Sequence, residues 1–520
     1  MSFPKKAYKK NIIVHRPRKD RADVLLVYPI WASNEGRVRL QRMLPPLGIL
    51  SIASYLEEKG FEVHVLDLHG EQLSPEDFRR TIQVLKPRIV GITVLAAHFI
   101  PAHYVATICK EEVSDVKVYV GGPHAESNPE QMLQNKNIDA VCQGDGEEIM
   151  LDLARGVAYE DVLGLAYRGK DGKVVVNPPR PIEHNLDKYP FPAYHLIDFD
   201  NYFPAIGTYR DLPAANVLMT RGCPGKCTFC NSANTPLRSR SVEKMIELIK
   251  CLRYDYGMRQ INFYDDTFTA NIQSVRAICE QLIAQKIDIK FVCYVRGDMM
   301  NERLAELLAK AGCHQLLIGI ESGSKLLREK INKPINEEKY KETVRLAHKY
   351  GMEVRGSFII GHIEETKETL RETLESAINL DVDFLQPCIM TPYPGTQLYR
   401  EAKQNHLLEH ENYELYGQGQ PILKMKHLTH KDIMWFQTYS FFRFYFRPKA
   451  IWRQLKSLKR WAHVVDLFNA FYVILIEGIS SRGKNRLRQW MDFDLSTVRD
   501  SLVVVPETPR LTWEVREGKG

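Results

Sequence analysis

Arg221-Gly222-Cys223-Pro224-Gly225-Lys226-Cys227-Thr228-Phe229-Cys230-Asn231 spaces its cysteines as C-x3-C-x2-C. Clustered thiolates on one loop hold iron–sulfur clusters, and three of them fill three corners of a [4Fe–4S] cubane. The next cysteine is Cys251, too far along to complete the set on this loop. An iron without a protein ligand can chelate a substrate, as the open position of a catalytic metal site does. Structural zinc is the plainer alternative. It takes four N or S ligands, usually in paired C-x2-C spacings, and the nearest upstream histidine here is His195.

From Asn216, just before the loop, six strand–helix units are readable by period. The predicted strands are Val217–Thr220, Gln260–Tyr264, Ile289–Tyr294, Gln315–Gly319, Val354–Ile360 and Phe384–Cys388. Six units predict a partial (β/α)6 barrel over 213–400, with chemistry at the C-terminal ends of its strands. Upstream, from Asp23, short apolar runs alternate with helical stretches, which predicts an α/β Rossmann-like domain over 23–158. Ligands in such domains lie beyond the carboxyl ends of the strands. The residues there are Thr93-Val94-Leu95, Gly121-Gly122-Pro123-His124 and Gly144-Asp145-Gly146-Glu147-Glu148. Paired glycines let a bulky flat ligand approach the backbone. A linker over 159–212 carries Pro178, Pro179, Pro181, Pro190 and Pro192. A basic arm, 1–22, and a mostly helical C-terminal region, 401–520, complete the chain.

A cysteine triad downstream of such a domain resembles the cobalamin-binding radical S-adenosylmethionine (SAM) family, from about Asp23 to Arg400. Its members include cobalamin-dependent class B methyltransferases and the anaerobic Mg-protoporphyrin monomethyl ester cyclase and hopanoid methylase types. The resemblance implies a [4Fe–4S] cluster on Cys223, Cys227 and Cys230, SAM on the free iron, and cobalamin in the N-terminal domain. It also implies SAM contacts: Phe229 at the adenine, Asp265 and Asp266 at the amino group, Arg296 at the carboxylate, Glu321 at the ribose, with Ser322 and Gly361 nearby. Strand-end Asp and Ser also cap helices, the alternative for Asp266 and Ser322. The implied cobalamin contacts are Thr93, Leu95, Gly121, Gly122, Pro123, His124, Gly144 and Glu147. One departure matters. The Asp-x-His-x-x-Gly motif that supplies a cobalt ligand in mutases is missing after the first strand, where the chain reads Trp31-Ala32-Ser33-Asn34-Glu35-Gly36. Asp67-Leu68-His69 imitates half of it, with Gln72 in place of the glycine, so cobalamin is expected without a histidine lower ligand.

The chain of 520 residues, 44% hydrophobic and 26% charged, has ordinary globular composition. Ten dispersed cysteines fit a reducing, cytoplasmic compartment rather than a disulfide framework. The first 21 residues hold eight Lys/Arg and no apolar core, so no signal peptide is expected. No run approaches the ~20 apolar residues that span a bilayer. Residues 441–460 combine seven basic residues with six aromatics and no acid. That composition suits a peripheral contact with an anionic membrane or a lipid-like substrate, with packing over the barrel as the structural alternative. Nucleic acid is not expected as a partner; a reductant such as flavodoxin or ferredoxin is. The expected reaction is methylation of an unactivated carbon of a hydrophobic small molecule or secondary metabolite. One alternative is an anaerobic oxidative cyclase or ring-modifying enzyme acting on a tetrapyrrole or isoprenoid lipid. Another is a non-enzymatic cobalamin or redox sensor.

Overall fold

Residues 20–30, 44–202, 204, 207–417 and 419–457 are described by a computed structural model. Five parallel strands, β1 (Val24–Tyr28), β2 (Val63–Asp67), β3 (Ile89–Thr93), β4 (Lys117–Gly121) and β5 (Ala140–Cys142), line up as 2-1-3-4-5. Helices α1 (Leu47–Glu58), α2 (Pro75–Leu85), α3 (Phe99–Glu112), α4 (Pro123–Ser127), α5 (Pro129–Met132) and α6 (Gly146–Ala154) connect them. Successive side chains of a strand point to opposite faces. In β1, Leu25 and Val27 therefore join Phe78 and Ile82 of α2, whereas Val24 and Leu26 join Leu50 of α1 and Met150 of α6.

The sheet does not stop at residue 158. Two antiparallel strands, β6 (Leu165–Arg168) and β7 (Val174–Val176), extend it into the predicted linker. A turn at Gly169–Gly172 closes this hairpin, with Gly169 N donating to Lys173 O at 2.7 Å. The β-branched run that makes β7 was masked by the prolines that follow it.

The second sheet is parallel throughout, in the order β15-β14-β13-β12-β11-β8. Its strands are β8 (Ala214–Val217), β11 (Gln260–Phe263), β12 (Lys290–Val295), β13 (Cys313–Glu321), β14 (Glu353–Ile360) and β15 (Phe384–Ile389). A two-residue ladder, β9 (Thr220–Arg221) with β10 (Arg238–Ser239), brackets the cysteine loop. The barrel helices are α7 (Val242–Lys250), α8 (Ile272–Ala284), α9 (Glu302–Lys310), α10 (Lys325–Lys330), α11 (Glu337–Lys349) and α12 (Lys367–Asn379). Ser241, Asn271, Asn301, Asn336 and Thr366 each start a helix by accepting a first-turn N–H on the side-chain oxygen.

Two features close the barrel. Its floor is stoppered by the segment before β8: Gln260 Nε2 donates to Thr208 O at 2.8 Å and Gln315 Nε2 to Gly207 O at 2.7 Å. Its open side is covered by α14 (His430–Tyr445), which follows α13 (Gln397–Gln404) and precedes α15 (Pro448–Ser457). An edge strand presents unpaired backbone groups. Here the Tyr445 hydroxyl accepts from Leu385 N at 3.0 Å and donates to Leu385 O at 3.3 Å, while Gln437 Nε2 donates to Pro387 O at 2.9 Å. The basic arm before Asp20, the Trp31–Gly36 stretch, and the C-terminal region beyond Ser457 lie outside the described residues.

Candidate active site

The C-terminal ends of both sheets face one another, and the cysteine loop sits between them. Gly222 has φ +89°, and a Cβ there would lie 2.2 Å from Pro236 O, so the loop closes on itself only with glycine. Cys223 N donates to Thr235 Oγ1 at 2.9 Å, and Thr235 N donates back to Cys223 O at 3.0 Å. Barrel elements hold the far side: Thr228 N donates to Ile331 O, and Leu398 N to Thr228 O. All three cysteines are half-buried. Burial pushes the Cys227 thiol up and the Cys230 thiol up to about 11. Among the described residues no three His, Cys, Asp or Glu side chains form a group that would hold a single metal ion. Cubane ligands each bind a different iron and need no common point, so the donor set fits a [4Fe–4S] cluster.

The SAM candidates divide into two groups. Arg296 forks onto Asp298 through Nε (3.0 Å) and Nη2 (2.9 Å), leaving Nη1 3.5 Å from the Cβ position of Gly225. Asp266 is exposed beside the loop and accepts from Ser232 Oγ at 2.9 Å. Phe229 is half-buried against Ile331, Met390 and Leu398. Glu321 follows a β-bulge between β13 and β14, adopts φ +69° and ion-pairs with Lys333 Nζ at 2.6 Å. A bulge next to a site re-aims the side chain it carries.

Three candidates face elsewhere. Asp265 is buried behind the loop, its Oδ1 accepting from Thr220 N and from Thr220 Oγ1 at 2.6 Å. Burial raises its carboxyl to about 7. Through Oδ1 it staples the strand that enters the loop, while its Oδ2 is buried without a protein partner. Ser322 is a cap: its Oγ accepts from Ser324 N at 3.1 Å and lies 3.1 Å from Thr373 Oγ1 on α12, behind the barrel wall. Gly361 has φ +87°, and its Cβ position looks toward Ile433 of α14. The alternation of β14 turns Arg355, Ser357 and Ile359 into the barrel, across from Tyr264 and Tyr294, whose rings meet edge-on at 5.6 Å.

A cavity of about 320 Å³ opens at the ends of the first sheet, lined by Gly91, Thr93, Gly121, Gly122, Pro123, Gly144 and Glu147 among others. Its far wall comes from the linker and barrel: Tyr189, Tyr194, Arg221 and Arg240. Glycine keeps it open, since a Cβ at Gly91 would lie 2.7 Å from Leu26 Cδ2 and one at Gly144 would meet nothing. The Tyr189 hydroxyl is buried on this wall without a protein partner, an orphaned donor that a polar ligand atom would satisfy. These residues fit a large, flat macrocyclic cofactor with polar groups at its edge, such as cobalamin. His124 and Leu95 do not belong to the cavity. His124 lies in the opposite layer, edge-on to Phe99 and Tyr413, because the turn at Pro123 swings the chain over the sheet. Leu95 is exposed outside it. Glu147 lines the cavity but is held by Arg221, Nη2 to Oε1 at 2.5 Å, with Ser51 Oγ donating to the same oxygen at 2.7 Å. Sequence reading missed Lys333, Tyr189 and Arg221. Only the Arg221-Gly222-Cys223 adjacency signalled any of them.

Comparison with known proteins places this geometry. The description Radical SAM superfamily matches residues 217–377, and B12 binding domain matches 38–154. A Pyrococcus horikoshii protein called uncharacterized methyltransferase PH0819 is 37% identical over 436 residues, covering 82% of this chain and 93% of that protein. The anaerobic magnesium-protoporphyrin IX monomethyl ester cyclase of Rubrivivax gelatinosus is 27% identical, covering 86% of this chain and 82% of its own. The fold matches a structure of the radical SAM methyltransferase TsrM from Kitasatospora setae with cobalamin and [4Fe–4S] cluster bound (TM-score 0.60, 20% identity, 74% of each chain). Identity at the first of these levels, sustained over more than four-fifths of each chain, reflects common descent: this chain belongs to the cobalamin-binding radical SAM family, which works with SAM, a [4Fe–4S] cluster and cobalamin.

Proposed function

We propose that this enzyme is a methyltransferase acting on an unactivated carbon of a small, largely apolar substrate. The observation that carries this reading is the shared wall: Arg221, two residues before Cys223, also lines the cavity of the first domain. When bound, the [4Fe–4S] cluster supplies the electron that cleaves SAM, and cobalamin carries the methyl group between donor and acceptor. The chain's own residues then have separate tasks. Cys223, Cys227 and Cys230 would hold three irons. Arg296 Nη1, turned to the loop, is placed for the SAM carboxylate, and Asp266 for its ammonium. Tyr264, Tyr294 and Ser357 orient substrate within the barrel and exclude water from it.

SAM bearing a deuterated methyl group tests the reading. Label in the product supports methyl transfer; an unlabelled product that has lost hydrogens supports oxidative cyclisation, which the cyclase relative favours. Intact SAM after anaerobic reduction would refute both and leave a sensor. The electron comes from a one-electron donor such as flavodoxin or ferredoxin in a reducing cell interior. Among the described residues no helix is long and apolar enough to cross a membrane. A peripheral contact would be carried by exposed Trp435 and Tyr439 on α14, Phe446 just after it and Trp452 on α15, beside Arg443, whose charge matches an anionic lipid surface. Co-sedimentation with phosphatidylserine vesicles but not with phosphatidylcholine vesicles is the expected result.

A further inference from the structure

The two stems of the cysteine loop carry arginines directly opposite each other, Arg221 on β9 and Arg238 on β10. Like charges in register on a ladder repel. Here one carboxylate lies between them: Asp145 Oδ1 is 3.4 Å from Arg221 Nη1, and Asp145 Oδ2 accepts from Arg238 Nη1. Glu147 holds Arg221 by a second, two-pronged contact, Nη2–Oε1 at 2.5 Å and Nη1–Oε2 at 3.3 Å. Both acids come from the other domain, from the Gly144–Glu147 turn at the start of α6, and both line the cavity. Arg221 also lies over the Tyr189 ring at 5.7 Å, and Tyr189 O in turn accepts from Arg240 Nη1 at 2.8 Å. The wall that a cavity ligand would touch is thus the wall that grips both stems of the loop.

We propose that Asp145 and Glu147 are positioning residues that couple occupancy of the cavity to the setting of the cysteine loop, so that cobalamin and SAM bind cooperatively. This inference rests on the cofactor assignment above. A ligand that fixes the Gly144–Glu147 turn fixes Arg221 and Arg238 with it, and the second ligand meets a loop already ordered. Such coupling is reciprocal and typically amounts to about 5–150-fold in affinity. The arrangement also explains the buried charge. Glu147 is almost fully buried, and a buried ion pair is weak evidence for stability but can fix one arrangement of the parts it joins.

The test measures the SAM dissociation constant of iron-loaded protein with and without hydroxocobalamin, for wild type, Glu147→Gln and Asp145→Asn. Wild type is expected to bind SAM at least about fivefold more tightly with cobalamin present. In each variant, measured with cobalamin at a concentration that saturates it, the gain is expected to fall below about twofold, with iron content unchanged. A residue of merely structural importance would weaken either affinity without altering their ratio. No gain in wild type, or an undiminished gain in both variants, overturns the proposal. Loss of iron from a variant that retains cobalamin also overturns it, because the turn would then maintain the loop rather than inform it. If Glu147→Gln does not fold, Asp145→Asn decides alone, since that side chain is one-third exposed. Wild type that retains neither iron nor cobalamin refutes the cofactor assignment itself, a separate outcome.

Discussion

Replacing Lys333 by methionine isolates one buried charge pair at the mouth of the barrel. Lys333 Nζ and Glu321 Oε1 are 2.6 Å apart, with side chains only 11% and 9% exposed. Burial alone would lower the lysine pKa, yet the Glu321 charge outweighs it and drives the pKa up. At this separation the gross attraction is about 6 kcal/mol for an effective dielectric of 20. Desolvation of both ions offsets most of that, so the intact pair contributes little net stability. Removing one partner is different, because it strands a carboxylate that has left water. Lys333→Met should therefore cost about 3–5 kcal/mol. Glu321→Gln added to it should recover most of the loss. Gly319→Ala should cost less than the single variant: its Cβ would lie 2.3 Å from Glu321 Oε1 and 2.8 Å from Lys333 Nζ, the ends of two flexible side chains that shift without either charge being removed. Urea unfolding followed by circular dichroism measures this. A loss below about 1 kcal/mol for Lys333→Met, with an unchanged m-value, would show that the pair is solvated and refute the argument.

Gly222→Ala should abolish retention of iron while leaving the helical content intact, because the new Cβ meets Pro236 O and a left-handed backbone costs about 1–2 kcal/mol; iron and sulfide analysis after anaerobic reconstitution reads it. His98, His103 and His124, clustered near Tyr28, Asn135 and Tyr413, have pKa values lowered by burial to about 4. Their folded pKa values lie below the unfolded 6.5, so the stability of the neutral rings is full above that pH and is lost as pH falls toward 4. The loss is about 3 kcal/mol per histidine at pH 4, and His124→Phe should move the acid-unfolding midpoint to lower pH. Tyr445→Phe removes both bonds that cover Leu385, at about 1–2 kcal/mol, and should increase aggregation on heating, seen by light scattering.

How much the sequence disclosed depended on whether the signal was local. The barrel strands and helices were legible because period and cap coincide: Ser241, Asn271, Asn301 and Thr366 each precede an amphipathic run. The loop was legible because its three cysteines are neighbours in the chain. What failed was partnership at a distance. Alternation says that a strand-end residue leaves the sheet, but not toward which layer, and so His124 and Ser322 were assigned to ligand sites from which they face away. Glu147 lines the cavity, but its partner Arg221 lies 74 residues downstream, beyond any local pattern. The hairpin β6–β7 was lost because prolines after Val176 dominate a composition-based reading of a stretch whose first part is β-branched.

The plug beneath the second sheet has a consequence for traffic. Gln260, Gln315 and the 207–210 segment make the chamber a cup and not a tube, so substrate entry and product exit share the one rim, where the two domains meet. A spent nucleoside has to leave past the same surfaces that admit its replacement. Cross-linking the rim should therefore trap the products of a single cycle inside.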